Sequence, residues 1–255
     1  MSYEVRVFKM GEHYVPGPEV FWMSHWDKWE TLYFWMVLIK GEGKNILINT
    51  GLPKDLTLRN QFLKNFAGEK CIMVATEDPK EALKKVGLYP EDIHYVFLTP
   101  LQDYAVANVD LFTKAKICIS RRGWIEDVVA PKYELHVPRE LRIPNKILIH
   151  LLTEAWDRVH LLEDEEEVLP GIRVFWAGVH HRSSIAICIN TKKGRIIASD
   201  CFFKYENIEK NIPIGVMESF EEFFRTYSRI RREADILLPL YDPEVLKRYP
   251  DGKIV

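Results

Sequence analysis

Glutamine is nearly missing from these 255 residues: Gln61 and Gln102 stand alone against 35 Lys and Arg and 37 Asp and Glu. Hyperthermophile proteins share a bias against labile amides, so a thermophilic source is expected. An excess of charge of either sign is missing too. A net charge of −2 offers little to draw the chain to nucleic acid or to an anionic membrane, and neither is expected as a partner. No run of about 20 apolar residues occurs, so no helix is expected to cross a membrane. The longest run, Leu32 to Ile39, is short and carries aromatic residues suited to a strand. The start, MSYEVRVFKM, reads directly as a strand and lacks the layout of a signal peptide, so a cytoplasmic protein is expected. Cysteine is sparse. Cys71, Cys118, Cys188 and Cys201 are far apart in or beside apolar runs, without a CxxC, which suits small buried side chains better than disulfides or zinc.

What is present is the composition of a globular domain, 47% hydrophobic and 28% charged. Strands are predicted at Glu4–Lys9, Tyr33–Lys40, Asn45–Asn49, Tyr95–Leu98, Ile117–Ser120, Arg173–Trp176, Ile185–Asn190, Arg195–Ala198 and Ile236–Pro239. Hairpin turns are predicted at Lys40–Lys44 and Lys192–Gly194. Helices are predicted at Asn60–Ala67, at Pro79–Val86 and, best marked, at Ser219–Arg232, where Ser219 and Glu222 form a capping box. Phe220, Phe223, Phe224 and Tyr227 line one face of that last helix and are expected to pack into the core. The acidic run Glu163–Glu167 is expected to be a solvated turn. No linker is apparent, so residues 1–255 are read as one α/β domain with two packed sheets and helices outside.

Four ordered segments carry a resemblance: Ile46-Leu47-Ile48-Asn49-Thr50-Gly51; His94 to Thr99 with Pro100 to Phe112; Glu163 to Arg195, containing EVLPGIRVFWAG; and Ile236 to Pro250, ILLPLYDPEVLKRYP. Together they resemble the metallo-β-lactamase superfamily, nearest its N-acyl-homoserine-lactonase and glyoxalase-II-like branch. The resemblance implies a four-layer αββα sandwich and a hydrolase in which a histidine-rich HxHxDH loop holds two metal ions. The same register departs from the family's ligands. Pro100 and Gln102 stand at the first two histidines, Tyr104 at the aspartate and Ala105 at the next histidine. Val179 and Tyr241 stand at the last two histidines, Asn49 replaces a supporting aspartate, and Asp200 alone matches a ligand. Pro, Ala and Val cannot ligate through their side chains, and Tyr and Gln are poor zinc ligands. No metal and no cofactor are expected.

The resemblance gathers Gln102, Asp103, Tyr104, His180, His181, Arg182, Asp200 and Tyr241 around one cleft. Asp103, Tyr104, His180, Asp200 and Tyr241 are the catalytic candidates. Gln102, His181, Trp26 and Trp176 are candidates for substrate binding. Each has a plainer role. The tyrosines can plug the space of the metals and bond Asp200. His180 and His181 can be a solvated pair, since neighbours on a strand point opposite ways. Asp103 can cap a helix, and His25-Trp26-Asp27 can be a surface loop. Three readings remain open: a metal-independent enzyme on a small ester, lactone or related carbonyl compound; a non-catalytic descendant that binds a small molecule or acts through oligomer contacts; and a relocated single-metal site at His180 or His181 with Asp200 and Asp103. The partner is a small-molecule ligand or substrate in each enzymatic case, and a homodimer is an assembly the sequence permits.

Overall fold

The structure, a computed structural model, describes residues 2–131 and 137–255. Seven strands form the larger sheet: β1 (Glu4–Pro16), β2 (Trp29–Gly41), β3 (Lys44–Ile48), β4 (Met73–Ala75), β5 (Tyr95–Leu98), β6 (Lys116–Ser120) and β7 (Val159–Leu162). Their order is β4-β1-β2-β3-β5-β6-β7. The β3-β5-β6-β7 part is parallel. The smaller sheet holds β8 (Glu165–Leu169), β9 (Ile172–Trp176), β10 (Ile185–Thr191), β11 (Gly194–Ser199) and β12 (Ile236–Pro239), in the order β12-β11-β10-β9-β8.

Alternation explains the packing. In β2, Trp35, Val37 and Ile39 point between the sheets, while Phe34, Met36 and Leu38 point to the helical side. Phe97 of β5 and Cys118 of β6 join the inner layer, where they meet Val174, Ile187, Ile196 and Leu238 of the smaller sheet. Strands buried on both faces have to be apolar at both parities, which is why these runs read as continuous. Helices Thr57–Ala67 and Asn145–Leu152 bury Leu63, Ile147 and Leu151 over the larger sheet. Helix Phe220–Glu233 buries Phe223, Tyr227 and Ile230 over the smaller one. The result is the αββα sandwich, with every matched segment inside it.

One irregularity decides what β1 presents. A register shift against β2 between Lys9 and Gly11 makes Met10 an extra residue. A bulge reverses the parity of every later side chain. Val5 and Val7 face the inner layer, whereas Val15 faces the helical side and His13 lines a cavity there.

Three expectations need correction. The acidic run is not a turn throughout: from Glu165 it is edge strand β8, where Glu165 pairs with Arg173 and Arg229. Ser219 caps its helix by accepting from the Glu222 N–H at 3.3 Å, but the Glu222 carboxylate turns away to Arg182 and the Val179 N–H. Only half of the aromatic stripe is core, since Phe220 and Phe224 stay exposed.

Candidate functional site

The loops that follow β3, β5, β11 and β12 leave the two sheets at one edge, as parallel strand ends do at ligand sites in α/β folds. Asn49 and Thr99 tie the first two together: Asn49 Nδ2 donates to the Thr99 carbonyl at 2.8 Å, and the Thr99 N–H donates to Asn49 Oδ1 at 2.9 Å. Asn49 therefore keeps a bridging role with an amide in place of a carboxylate. The Thr99 hydroxyl reaches across to the other sheet, where it donates to Asp200 Oδ1 and accepts the Ile185 N–H at 3.0 Å.

Asp200 is fully buried. Ser184 Oγ donates to its Oδ2 at 2.5 Å, and His180 Nδ1 lies 3.0 Å from the same oxygen. The expectation that Tyr104 or Tyr241 would hold Asp200 is thus corrected. Threonine, serine and histidine hold it instead, because they sit on the loops immediately beside β11. The Ser184 hydroxyl already accepts the His181 N–H at 3.1 Å, so both hydroxyl protons are directed at the carboxylate. A proton on His180 Nδ1 completes the set, which leaves Nε2, on the far side of the ring, with the free lone pair.

His180 and His181 lie in the turn between β9 and β10 rather than on a strand, so the strand rule does not separate them. Their ring centroids are 4.1 Å apart and both line the cavity. Burial first, then the neighbouring His180, Arg59 and Arg182, holds His181 well below the usual imidazole range. The turn is pressed close by Gly123, where a Cβ would come within 2.2 Å of Ser183 Cα. Ser183 in turn donates its N–H to Asp127 at 2.9 Å and accepts the Leu101 N–H at 2.9 Å. Val179, at the family's histidine position, is buried with φ of 66°, an uncommon conformation for a β-branched residue.

Asp103 is not free. Arg59, on helix Thr57–Ala67, grips it through Nε at 3.2 Å and through Nη2, which also donates to the Leu141 carbonyl at 2.6 Å and approaches Gln102 Oε1 at 3.4 Å. Both members of the pair are buried. Burial raises the Asp103 carboxyl, and Arg59 offsets only part of that. Arg59 was not among the sequence candidates. An arginine in the first turns of an amphipathic helix reads as a solvated residue, and nothing local distinguishes it.

Arg59, Gln102, Asp127, His180 and His181 line a cavity of about 450 Å³, with Asp103 and Asp200 behind its wall; its size suits a small organic ligand. Its walls are largely apolar and aromatic, including Leu32, Phe34, Phe62, Met73 and Phe203. Gln102, Tyr104, His180, His181 and Tyr241 all reach it. Tyr104 and Tyr241 meet edge to face at 6.3 Å, and each packs on Phe34. Burial pushes both phenols upward. The Tyr241 hydroxyl is buried, and among the described residues the Tyr104 hydroxyl is the polar group it meets. His13 and Glu19, which the sequence did not single out, line the same cavity. Two binding candidates fall outside it: Trp26 is 68% exposed, and Trp176 stacks against Arg122 with its Nε1 donating to the Arg182 carbonyl at 2.7 Å.

The carboxylates and phenols at and beside the positions where the resemblance expects metal ligands are engaged otherwise. Both Asp200 oxygens are engaged by hydrogen bonds, and Asp103 is bound by a guanidinium. Tyr104 and Tyr241 are neutral phenols pushed further from ionisation. Among the described residues no three His, Cys, Asp or Glu side chains are grouped to hold a cation.

No family profile matches the chain. It is 26% identical over 191 residues to the N-acyl homoserine lactonase of Bacillus cereus, covering 72% of this chain and 70% of that protein. The fold superposes with a TM-score of 0.77, at 19% identity and over 100% of both chains, on an N-acyl homoserine lactone hydrolase solved with N-hexanoyl-L-homoserine bound at its catalytic metal centre. A structure from Thermotoga maritima described as a metallo-β-lactamase superposes at 0.57, with 18% identity over 94% of this chain and 96% of that one. The chain has the metallo-β-lactamase fold and is similar in sequence to lactonases of that fold.

Proposed function

We propose that this chain is a hydrolase of a small ester, lactone or related carbonyl compound that works without a metal, with His180 as general base. The observation that carries the reading is the Asp200–His180 pair at the wall of the cavity: a fully buried carboxylate, supplied with two hydroxyl protons, that leaves His180 Nε2 as the accepting nitrogen. A carboxylate that orients an imidazole in this way is the arrangement by which histidine activates a nucleophile. Here Ser184 and Thr99 are spent on Asp200, so the nucleophile is water.

The steps balance simply. His180 Nε2 takes a proton from water as its oxygen attacks the carbonyl carbon. The oxyanion accepts a hydrogen bond from Tyr241, whose hydroxyl lies at the cavity wall beside that of Tyr104. The carbon–oxygen bond of the leaving group then breaks, and the proton held by His180 passes to the departing alkoxide. Asp103, paired with Arg59, takes no part in proton transfer in this scheme.

A second reading is a non-catalytic small-molecule binder. It is favoured by the aromatic set Phe34, Tyr104, Phe203 and Tyr241, in which Tyr241 packs edge to face on Phe34 and Phe203 and Tyr104 packs tilted on Phe34, at positions where the resemblance expects metals. Hydrolysis of γ- and δ-lactones and of 4-nitrophenyl butyrate, in chelator, separates the two. The enzyme reading expects turnover in chelator that His180→Gln and Asp200→Asn each reduce by about 10²–10⁴-fold, the usual contribution of a general base. Absence of turnover in chelator with recovery on adding stoichiometric zinc overturns it. Absence in both conditions leaves the binder.

A further inference from the structure

Glu19 stands apart from every other carboxylate around the cavity. It lies on the short turn Gly17–Val20, which is fixed in place: the Gly215 N–H donates to the Glu19 carbonyl at 2.9 Å, and a Cβ on Gly215 would strike the Pro18 carbonyl. Its side chain reaches the cavity among Leu32, Phe34 and Met73. Asp103 has Arg59, Asp127 has the Ser183 N–H, Glu218 has Arg182 and Asp200 has its three donors. The Glu19 side chain is partly buried and its carboxyl has neither an ion pair nor a hydrogen bond among the described residues; its partial removal from water raises it to about 7.

The groups that face Glu19 from neighbouring elements do not satisfy it. His13 of β1 is driven by burial, then by Arg59, to about 3, so it is uncharged. Cys71, 3.5 Å from His13 Nε2, is pushed up to about 12 by burial and by Glu19 itself. Arg59 is committed to Asp103. Drawing an ionised carboxylate away from water is costly unless it is paired, and no pair is present among the described residues.

We infer that Glu19 is the recognition group for a ligand that carries a basic nitrogen at one end of an apolar chain, the nitrogen seated against Glu19 and His13 and the chain along Phe34 toward the tyrosines. The inference rests on the cavity being a ligand site, as proposed above, and adds the chemical class. It separates the two ends of the occupant. Phe34 lies between them, packed on His13 at 6.3 Å between ring centroids and on Tyr241 at 5.5 Å.

Isothermal titration calorimetry with hexylamine, hexan-1-ol and hexanoate tests it. Hexylamine stays protonated from pH 6 to 8, so its affinity follows the ionised fraction of Glu19 and rises about tenfold over that range. Hexan-1-ol is expected to bind more weakly and without a pH trend, and hexanoate to weaken as pH rises. Glu19→Gln is expected to abolish the hexylamine trend. Hexylamine binding no tighter than hexan-1-ol at pH 8, a trend that survives Glu19→Gln, or no binding by any of the three overturns the inference. The two proposals fail separately: Glu19-dependent amine binding without lactone or ester turnover sinks the catalytic reading alone.

Discussion

Arg59 and Asp103 show how one buried pair can decide the local chemistry. Each is nearly inaccessible, and together they join helix Thr57–Ala67, the loop after β5 and the Leu141 carbonyl. Removing one member of such a pair strands the other as an uncompensated charge, which costs about 3–5 kcal/mol, whereas replacing both with apolar groups can be near neutral. Arg59→Leu is therefore expected to lose about that much in urea denaturation, and Arg59→Leu with Asp103→Leu to regain most of it. A double variant no more stable than the single one would show that the guanidinium matters for its packing and its bond to Leu141, not for Asp103. The sequence exposed Asp103, because the resemblance marks the loop it sits in. It hid Arg59, because a partner 44 positions away in sequence leaves no local trace. Thr99 and Ser184 were hidden for the same reason: a hydroxyl near a strand end acquires meaning only when the second sheet brings Asp200 to it.

Elements were legible where periodicity and punctuation agreed. Tyr95–Leu98 and Ile236–Pro239 match their strands end to end, since a short apolar run bounded by turn residues has one reading. The predicted Tyr33–Lys40 is the inner part of a longer strand, and the predicted Glu4–Lys9 is the first part of another. Their outer parts mix polar and aromatic residues, and β1 also crosses a bulge that breaks alternation. Strand β8 was unreadable because its acidic residues are met by partners elsewhere in the chain, Glu165 by Arg173 and Arg229 and Glu166 by His160. The end of helix Phe220–Glu233 was legible from Ser219, yet the fate of Glu222 was not, because Arg182 competes for it more strongly than the Ser219 N–H does. Ser219→Ala is expected to cost about 1 kcal/mol, the usual loss for a helix cap, by thermal or chemical denaturation. A change within error would mean that Arg182 and Val179 anchor the helix start by themselves.

For the molecule as a whole, buried His13 and partly buried Glu19 set opposing trends with pH. His13 falls from 6.5 to about 3 on folding, so between those values the unfolded chain binds more protons and stability rises with pH. Glu19 climbs from 4.5 to about 7, so between those values the folded chain holds the extra proton and stability falls as pH rises. The windows overlap between 4.5 and 6.5, where the trends cancel. Glu19→Gln should unmask a steeper rise in unfolding free energy from pH 4.5 to 6.5, and His13→Gln should turn the same interval into a decline. Parallel curves for the parent and Glu19→Gln would show that the carboxyl titrates as it does in the unfolded chain.

Under the proposed metal-free chemistry, the guanidinium of Arg59 also changes what kind of resource the cleft depends on. A metal ion is borrowed from the surroundings: it can be stripped, exchanged or starved away, and while bound it can hold a water molecule as a ligand. A guanidinium is encoded with the fold and always charged, so it needs no supply and no loading step. It has no vacant coordination position to offer, however, and cannot itself turn water into hydroxide. Under the metal-free hydrolysis proposed above, a cleft whose cation is inherited rather than acquired finds its reactivity in proton transfer, and among the described residues the imidazole on its wall with buried Asp200 behind it is His180.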